Sequence, residues 1–392
     1  MLPEEPPIIP SLQNRIPSLD GLRAISITMV VGFHLFNSEW RLKTGRDYDG
    51  LWSILFNGGT GVSVFFVISG FLITSLLLNE IRKTGRIHLT DFYVRRSFRI
   101  WPALYFYLGT IAVLHLLKIV GINMQRDWLS AALFVFNYVP RAGNPWVGHT
   151  WSLAVEEQFY ILWPLTLMLL ARRRSTIAAV ILVLAVPVVR FVEARFFPQS
   201  IWTDRMWETA HTRIDTLMVG CIVALLWDSA RFQAVLGGMF RLKLQIVSLI
   251  ALFAVWPVLD HIASGSLSSA LGYSIENICI AILMVWLIQN SKTLTGRVLN
   301  SPIFVHVGVI SYSLYLWNQI FCTPVNKTWS GRFPANIVCA IVMAEFSRYF
   351  IEVPFLKLRA VLPLISAKPR LAVAPAVTAL PTRTPVDEIN NA

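Results

Sequence analysis

A chain of 392 residues that is 55% hydrophobic and only 14% charged falls well below the roughly 25% charge of a soluble globular protein. Its solvent is therefore largely lipid. The net charge of +12 sits in short blocks between apolar segments, as loop charges of a membrane protein do. A nucleic-acid partner is therefore not expected, and anionic membrane lipids or an anionic cytoplasmic substrate explain the balance better.

The N-terminal MLPEEPPIIPSLQ is acidic and proline-rich, without the positive n-region of a cleavable signal peptide. Apolar segments long enough to cross a bilayer follow at about 21–38, 61–80, 101–120, 150–171, 176–197, 213–228, 243–260, 270–290, 303–322 and 335–353. Leu129 to Val139 is apolar but too short to cross. Basic clusters at Arg82–Arg99, Arg172–Arg174, Arg231–Lys243 and Lys292–Arg297 all fall on one side if the chain crosses ten times with both termini in the cytoplasm. The outer loop 39–60, which carries Arg41, Lys43 and Arg46, is the one stretch against that orientation. The expected fold is an all-α integral membrane protein of about ten transmembrane helices, with 129–139 re-entrant or interfacial. Its organisation is a cytoplasmic N-terminal segment (1–17), a membrane domain (18–356) and a cytoplasmic tail (357–392), rich in Ala, Pro and Thr, that reads as disordered. The four cysteines, Cys221, Cys279, Cys322 and Cys339, lie in apolar runs without ligand spacing. They read as small hydrophobes, and no metal is expected.

Ionisable side chains inside spans are costly and mark candidate function. Arg23 and His34 in the first span are eleven residues apart, on one helical face and separated by about 16 Å along the axis. That spacing suits a long donor, anionic at one end and reactive at the other. Arg23 would hold a phosphate or pair with Asp20, and neutral His34 would accept a proton from an incoming hydroxyl. A packed histidine and a snorkelling arginine are the structural alternative.

In GGTGVSVFFVISGFLI, Ser63, Ser69 and Gly70 offer small residues where backbones or a ligand approach closely. In FYVRRSFRIWPALY, Arg95, Arg96 and Arg99 gather at the cytoplasmic start of the third span, with Pro102 suited to a first helical turn. They would bind phosphates or simply mark the cytoplasmic side. In HTWSLAVEEQFYILWP, Ser152, Glu156, Tyr160 and Trp163 form one stripe, flanked by Glu157 and Gln158. One of the two carboxylates would orient His34 if the helices pack together. Arg190 with Glu193, Arg213 with Asp215, and Glu345, Arg348 and Glu352 read as structural ion pairs.

In this order, SLDGLRAISITMVVGFHLF, FFVISGFLI, FYVRRSFRIWPALY, TWSLAVEEQFYILWP, RIDTLMVG, ISYSLYLW and FIEVPF resemble the bacterial membrane proteins of acyltransferase family 3. The resemblance covers roughly 16 to 356. It implies an enzyme moving an acyl group, usually acetyl, from cytoplasmic acyl-CoA to a sugar hydroxyl of a surface polysaccharide, lipid-linked glycan or metabolite. It also implies residence in the bacterial inner membrane. By the same resemblance His34 is the essential histidine, as a base or as a covalent carrier of the acyl group, Arg23 its partner and Glu156 or Glu157 a supporting carboxylate, while Arg95, Arg96 and Arg99 serve the donor's phosphates. Ser69 is a donor-binding candidate from its small size alone. The family motif often reads YLWH where this chain has Asn318, so an acid–base role there is absent. The alternative reading is a polytopic transporter of a glycan or lipid with an intramembrane proton relay.

Overall fold

The computed structural model describes residues 16–44, 55–139, 144–197, 207–255 and 266–361. Residues 1–15 of the expected N-terminal segment, 45–54 of the 39–60 loop, the end of the expected 243–260 span and the tail from 362 lie outside the described residues; 357–361 is the end of a helix. Among the described residues all regular structure is helical: α1 (Leu19–Thr44), α2 (Gly58–Thr84), α3 (Leu89–Leu116), α4 (Thr150–Phe196), α5 (Ala210–Leu226), α6 (Ala230–Arg241), α7 (Leu244–Ile250), α8 (Ser266–Gln289), α9 (Leu294–Leu299), α10 (Pro302–Phe321), α11 (Ala335–Phe346) and α12 (Val353–Val361). Among the described residues between α3 and α4 the chain makes short helical turns, at Met124–Trp128, Leu129–Ala132 and Phe136–Tyr138. Gln158 on α4 anchors them by donating to the Phe134 carbonyl (2.9 Å) and to Asn137 Oδ1 (2.9 Å).

Local chemistry sets the helix ends. The Asn57 side chain caps α2 by accepting from the Thr60 N–H at 3.0 Å. Gly85, in the left-handed region at φ 76, closes α2 by donating to the Ile81 carbonyl, the usual stop where a side chain would be strained. Arg82 and Lys83 occupy its last turn, where cations complement the helix dipole. α3 begins at Leu89, well before the expected span, so Pro102 lies inside the helix rather than in its first turn. The basic stretch is thereby helical, and Arg95 and Arg96 point about 100° apart.

Five helices of the described residues (α1, α2, α3, α4 and α8) contain segments long and apolar enough to cross a bilayer. α5 and α6, bent by 114° at a short break, pass as a pair. The described residues thus give five or six candidate spans rather than the ten expected, for physical reasons. α4 holds two of them, 150–171 and 176–197, joined at Ala171, whose φ of 58 and ψ of 171 break the helix. α10 is 20 residues long, but its His306, Asn318 and Gln319 dilute its apolar character. Outward faces carry large apolar side chains, such as Leu169 (74% exposed) and Leu184 (67% exposed), which water would not tolerate as a continuous surface.

The core is a bundle in which α2 packs on α1 and α5, α5 on α4, and α1 on α10. The α2–α5 contact is backbone to backbone. A Cβ on Gly70 would fall 2.0 Å from the Leu217 carbonyl oxygen, and one on Gly220 would fall 2.1 Å from that of Val67. Small residues permit this approach, and it fixes where α2 carries Ser63 and Ser69.

Candidate functional site

Two cavities lie along α1. The first, about 120 Å³, is lined by Arg23, Ser69, Arg96, Arg99, Glu156 and Tyr160. The second, about 430 Å³, is lined by His34, His149, Trp151, Glu208, Arg213 and Tyr273. Val62 and Tyr315 line both, so the two cavities adjoin at these side chains. The first lies toward the N-terminal end of α1, where the Arg-rich start of α3 also sits. The second lies where α1 has passed His34 and where α2, α4 and α5 begin.

The first cavity is cationic by construction. Arg23 donates from Nη2 to Ser311 Oγ at 3.0 Å and approaches Asp20 at 3.8 Å. The Arg96 guanidinium lies 5.1 Å from the centre of the Tyr160 ring, and the Tyr160 hydroxyl bonds Ser69 Oγ at 2.7 Å. Arg99 is exposed at the rim. The stripe expected on α4 is observed, with Trp163 Nε1 donating to Thr74 (2.8 Å) and Ser152 Oγ bonding the Tyr315 hydroxyl (2.6 Å). Arg95 does not join the group: it pairs with Glu80 at 3.1 Å, a consequence of its direction on the helix.

In the second cavity the orientation of His34 is fixed by Asn318. The Asn318 amide donates from Nδ2 to the carbonyls of Leu314 (3.0 Å) and Tyr315 (2.7 Å), so its Oδ1 is the acceptor. That oxygen lies 2.6 Å from His34 Nδ1. Nδ1 therefore carries the proton, and Nε2 keeps its lone pair for the cavity. The partner of His34 is thus a neutral amide rather than Glu156 or Glu157. Glu156 lines the other cavity beside Arg23 and Arg96, and Glu157 is buried with Oε1 lacking a hydrogen-bond partner.

Sequence reasoning passed over His149, the residue just before α4. It is 5% exposed, lies edge-on between the Tyr107 ring (5.3 Å) and the Tyr315 ring (5.4 Å), and neither ring nitrogen has a hydrogen-bond partner. Burial, with a smaller contribution from His34, pushes its imidazole down to about 3. Its position at the head of HTWSL was the available signal.

The expected ion pairs re-sort across helices. Arg190 pairs with Asp215 at 2.8 Å, both fully buried, and also donates to Ser274 Oγ (2.6 Å). Glu193 pairs with His211 and Glu345 with His306. Arg348 pairs with Glu352 at 2.7 Å, as the spacing implied. Arg213, left without Asp215, donates from Nη2 to Ser63 Oγ at 2.7 Å.

Residues 16–345 match the acyltransferase domain family. The chain is 31% identical over 363 residues to O-acetyltransferase OatA of Staphylococcus aureus (strain NCTC 8325 / PS 47), covering 87% of this chain and 57% of that protein. Two putative O-acetyltransferases of Staphylococcus aureus are similar over the same shares: SACOL0978 of strain COL at 31% identity and SAS0844 of strain MSSA476 at 30%. The chain thus spans 57% of the length of the curated relatives it matches. No solved structure matches it.

Proposed function

The chain belongs to the acyltransferase domain family, and on that premise we propose that it is a transmembrane O-acyltransferase. It takes an acyl group, acetyl before longer chains, from cytoplasmic acyl-CoA and places it on a hydroxyl of a surface polysaccharide, lipid-linked glycan or glycosylated metabolite. About ten crossings of the bacterial inner membrane, with both termini cytoplasmic, accompany this reading. The observation that carries it is the pair of cavities, one cationic and one holding His34, that meet at Val62 and Tyr315.

In this reading Arg23, Arg96 and Arg99 hold the phosphates of the donor, because guanidinium forks match phosphate oxygens. Ser69 and Glu156 shape the passage for the pantetheine arm. The acyl thioester reaches past Val62 and Tyr315 to His34. Nε2 of His34 accepts the proton of the acceptor hydroxyl, whose oxygen attacks the thioester carbonyl. The C–S bond then breaks, and the imidazolium returns the proton to the departing thiolate, leaving an ester and free CoA. Asn318 keeps the proton on Nδ1 throughout, so the same nitrogen serves both transfers.

The test is incorporation of label from acetyl-CoA into a panel of glycans and lipid-linked sugars by the purified protein in lipid. Base-labile label on an acceptor is the expected result. Export of an unmodified glycan, independent of acyl-CoA, would replace this reading with a transporter.

A further inference from the structure

Arg213 is the least satisfied cation of the His34 cavity. It is 1% exposed, and its Nε and Nη1 have no hydrogen-bond partner. Its one hydrogen bond runs from Nη2 to Ser63, and the guanidinium stacks 4.4 Å from the centre of the Tyr273 ring. A guanidinium presents two forked edges, and Nη2 contributes one hydrogen to each. Ser63 therefore occupies one edge at most, and the other keeps both donors. Asp215, the near carboxylate in sequence, is held by Arg190, and among the described residues no carboxylate lies within ion-pair distance of Arg213. Glu276, buried on α8 with its own Oε1 unpartnered, offsets the charge from a distance without filling the fork. A buried guanidinium with open donors is costly unless a ligand completes it.

The surroundings say what kind of ligand. Trp151, Trp207, Tyr273 and Tyr315 line the same cavity, giving flat apolar faces for a sugar ring. Its volume of about 430 Å³ lies within the usual range for small-molecule sites, roughly 300–1,000 Å³. A carboxylate matches a free guanidinium fork in geometry and charge. Resting on the acyl-transfer reading above, we propose that this cavity is the acceptor subsite and that Arg213 seats an acidic group of the acceptor sugar. Arg213 would thereby set which sugar presents its hydroxyl to His34.

The experiment uses the full chain in lipid, labelled acetyl-CoA, and two acceptors: an oligosaccharide bearing a uronic acid, and the same oligosaccharide after reduction of its carboxyl groups. Transfer and direct binding are both measured for wild type, Arg213→Gln and Arg213→Lys. Wild type is expected to favour the acidic acceptor by at least ~10-fold, the usual scale for one charged hydrogen-bonded contact. Arg213→Gln should collapse that ratio toward one, and Arg213→Lys, which keeps charge but not the fork, should fall between. CoA binding reports that each variant is folded. Equal use and equal binding of both acceptors by wild type would overturn the proposal, even if neither variant folds. So would an unchanged ratio in a folded Arg213→Gln. Arg213-dependent binding of the acidic sugar without any transfer would support this subsite while overturning the transferase reading. Transfer without acid preference would do the reverse.

Discussion

Asn318 Oδ1 sits 2.6 Å from His34 Nδ1, and the two carbonyls that hold the Asn318 amide leave that oxygen no role but acceptor. The side chain that departs from the family motif is thus the one that sets the histidine tautomer. An amide cannot exchange a proton, but it can hold one in place.

Asn318→Leu removes the acceptor without adding charge. The imidazole then samples both tautomers, and its Nε2 is no longer reserved for the acceptor hydroxyl. The expected result is a fall in kcat of roughly 10- to 100-fold, the scale for losing an orienting partner. Donor KM should change little, because Asn318 is buried behind His34 and does not line the Arg23 cavity. Initial rates across acyl-CoA concentrations check this.

The three arginines of α3 should separate by function. Arg96→Gln and Arg99→Gln are expected to raise the acyl-CoA KM by about tenfold each, on the scale of one charged hydrogen bond. Arg95→Gln should leave KM near wild type, because its partner is Glu80. Titration of CoA against each variant in lipid distinguishes this from a merely topological role, in which all three would behave alike.

Arg190 and Asp215 form a fully buried pair. Asp215→Asn or Arg190→Leu alone leaves an uncompensated charge and should cost about 3–5 kcal/mol. The double variant Arg190→Met/Asp215→Leu should recover much of that loss. Thermal unfolding in detergent measures it, and the double variant's recovery is what separates a structural pair from a catalytic one.

His149 gives the protein an acid-sensitive element. Its pKa is lowered in the fold to about 3, first by burial and then by His34, against about 6.5 unfolded. Between these values the unfolded chain binds more protons, so stability is full above about pH 6.5 and falls as pH drops toward 3. Melting temperature in detergent should therefore decline across that window, and His149→Phe should flatten the decline.

Much of this was legible in the sequence. Arg23 and His34 are on one α1 face because eleven residues make close to three turns. The Ser152, Glu156, Tyr160 and Trp163 stripe is readable for the same reason. Hydropathy and charge also marked where α4 breaks, because Arg172–Arg174 interrupt the apolar run beside Ala171. What could not be read were relations between helices. Nothing local links Asn318 to His34, Arg190 to Asp215 or Arg213 to Ser63. Each depends on how α1 meets α10 or how α2 and α4 meet α5, and glycine contacts such as Gly70 and Gly220 set those distances. The split of Arg95 from Arg96 required knowing that α3 starts at Leu89, since a helix through this stretch turns adjacent residues about 100° apart.

The most direct test of the central claim is acyl transfer by wild type and His34→Ala, run side by side in lipid with labelled acetyl-CoA and an acceptor glycan. The account predicts base-labile label on the acceptor from wild type and a loss of at least ~100-fold in the variant, with CoA binding retained. Equal transfer by both proteins would contradict it.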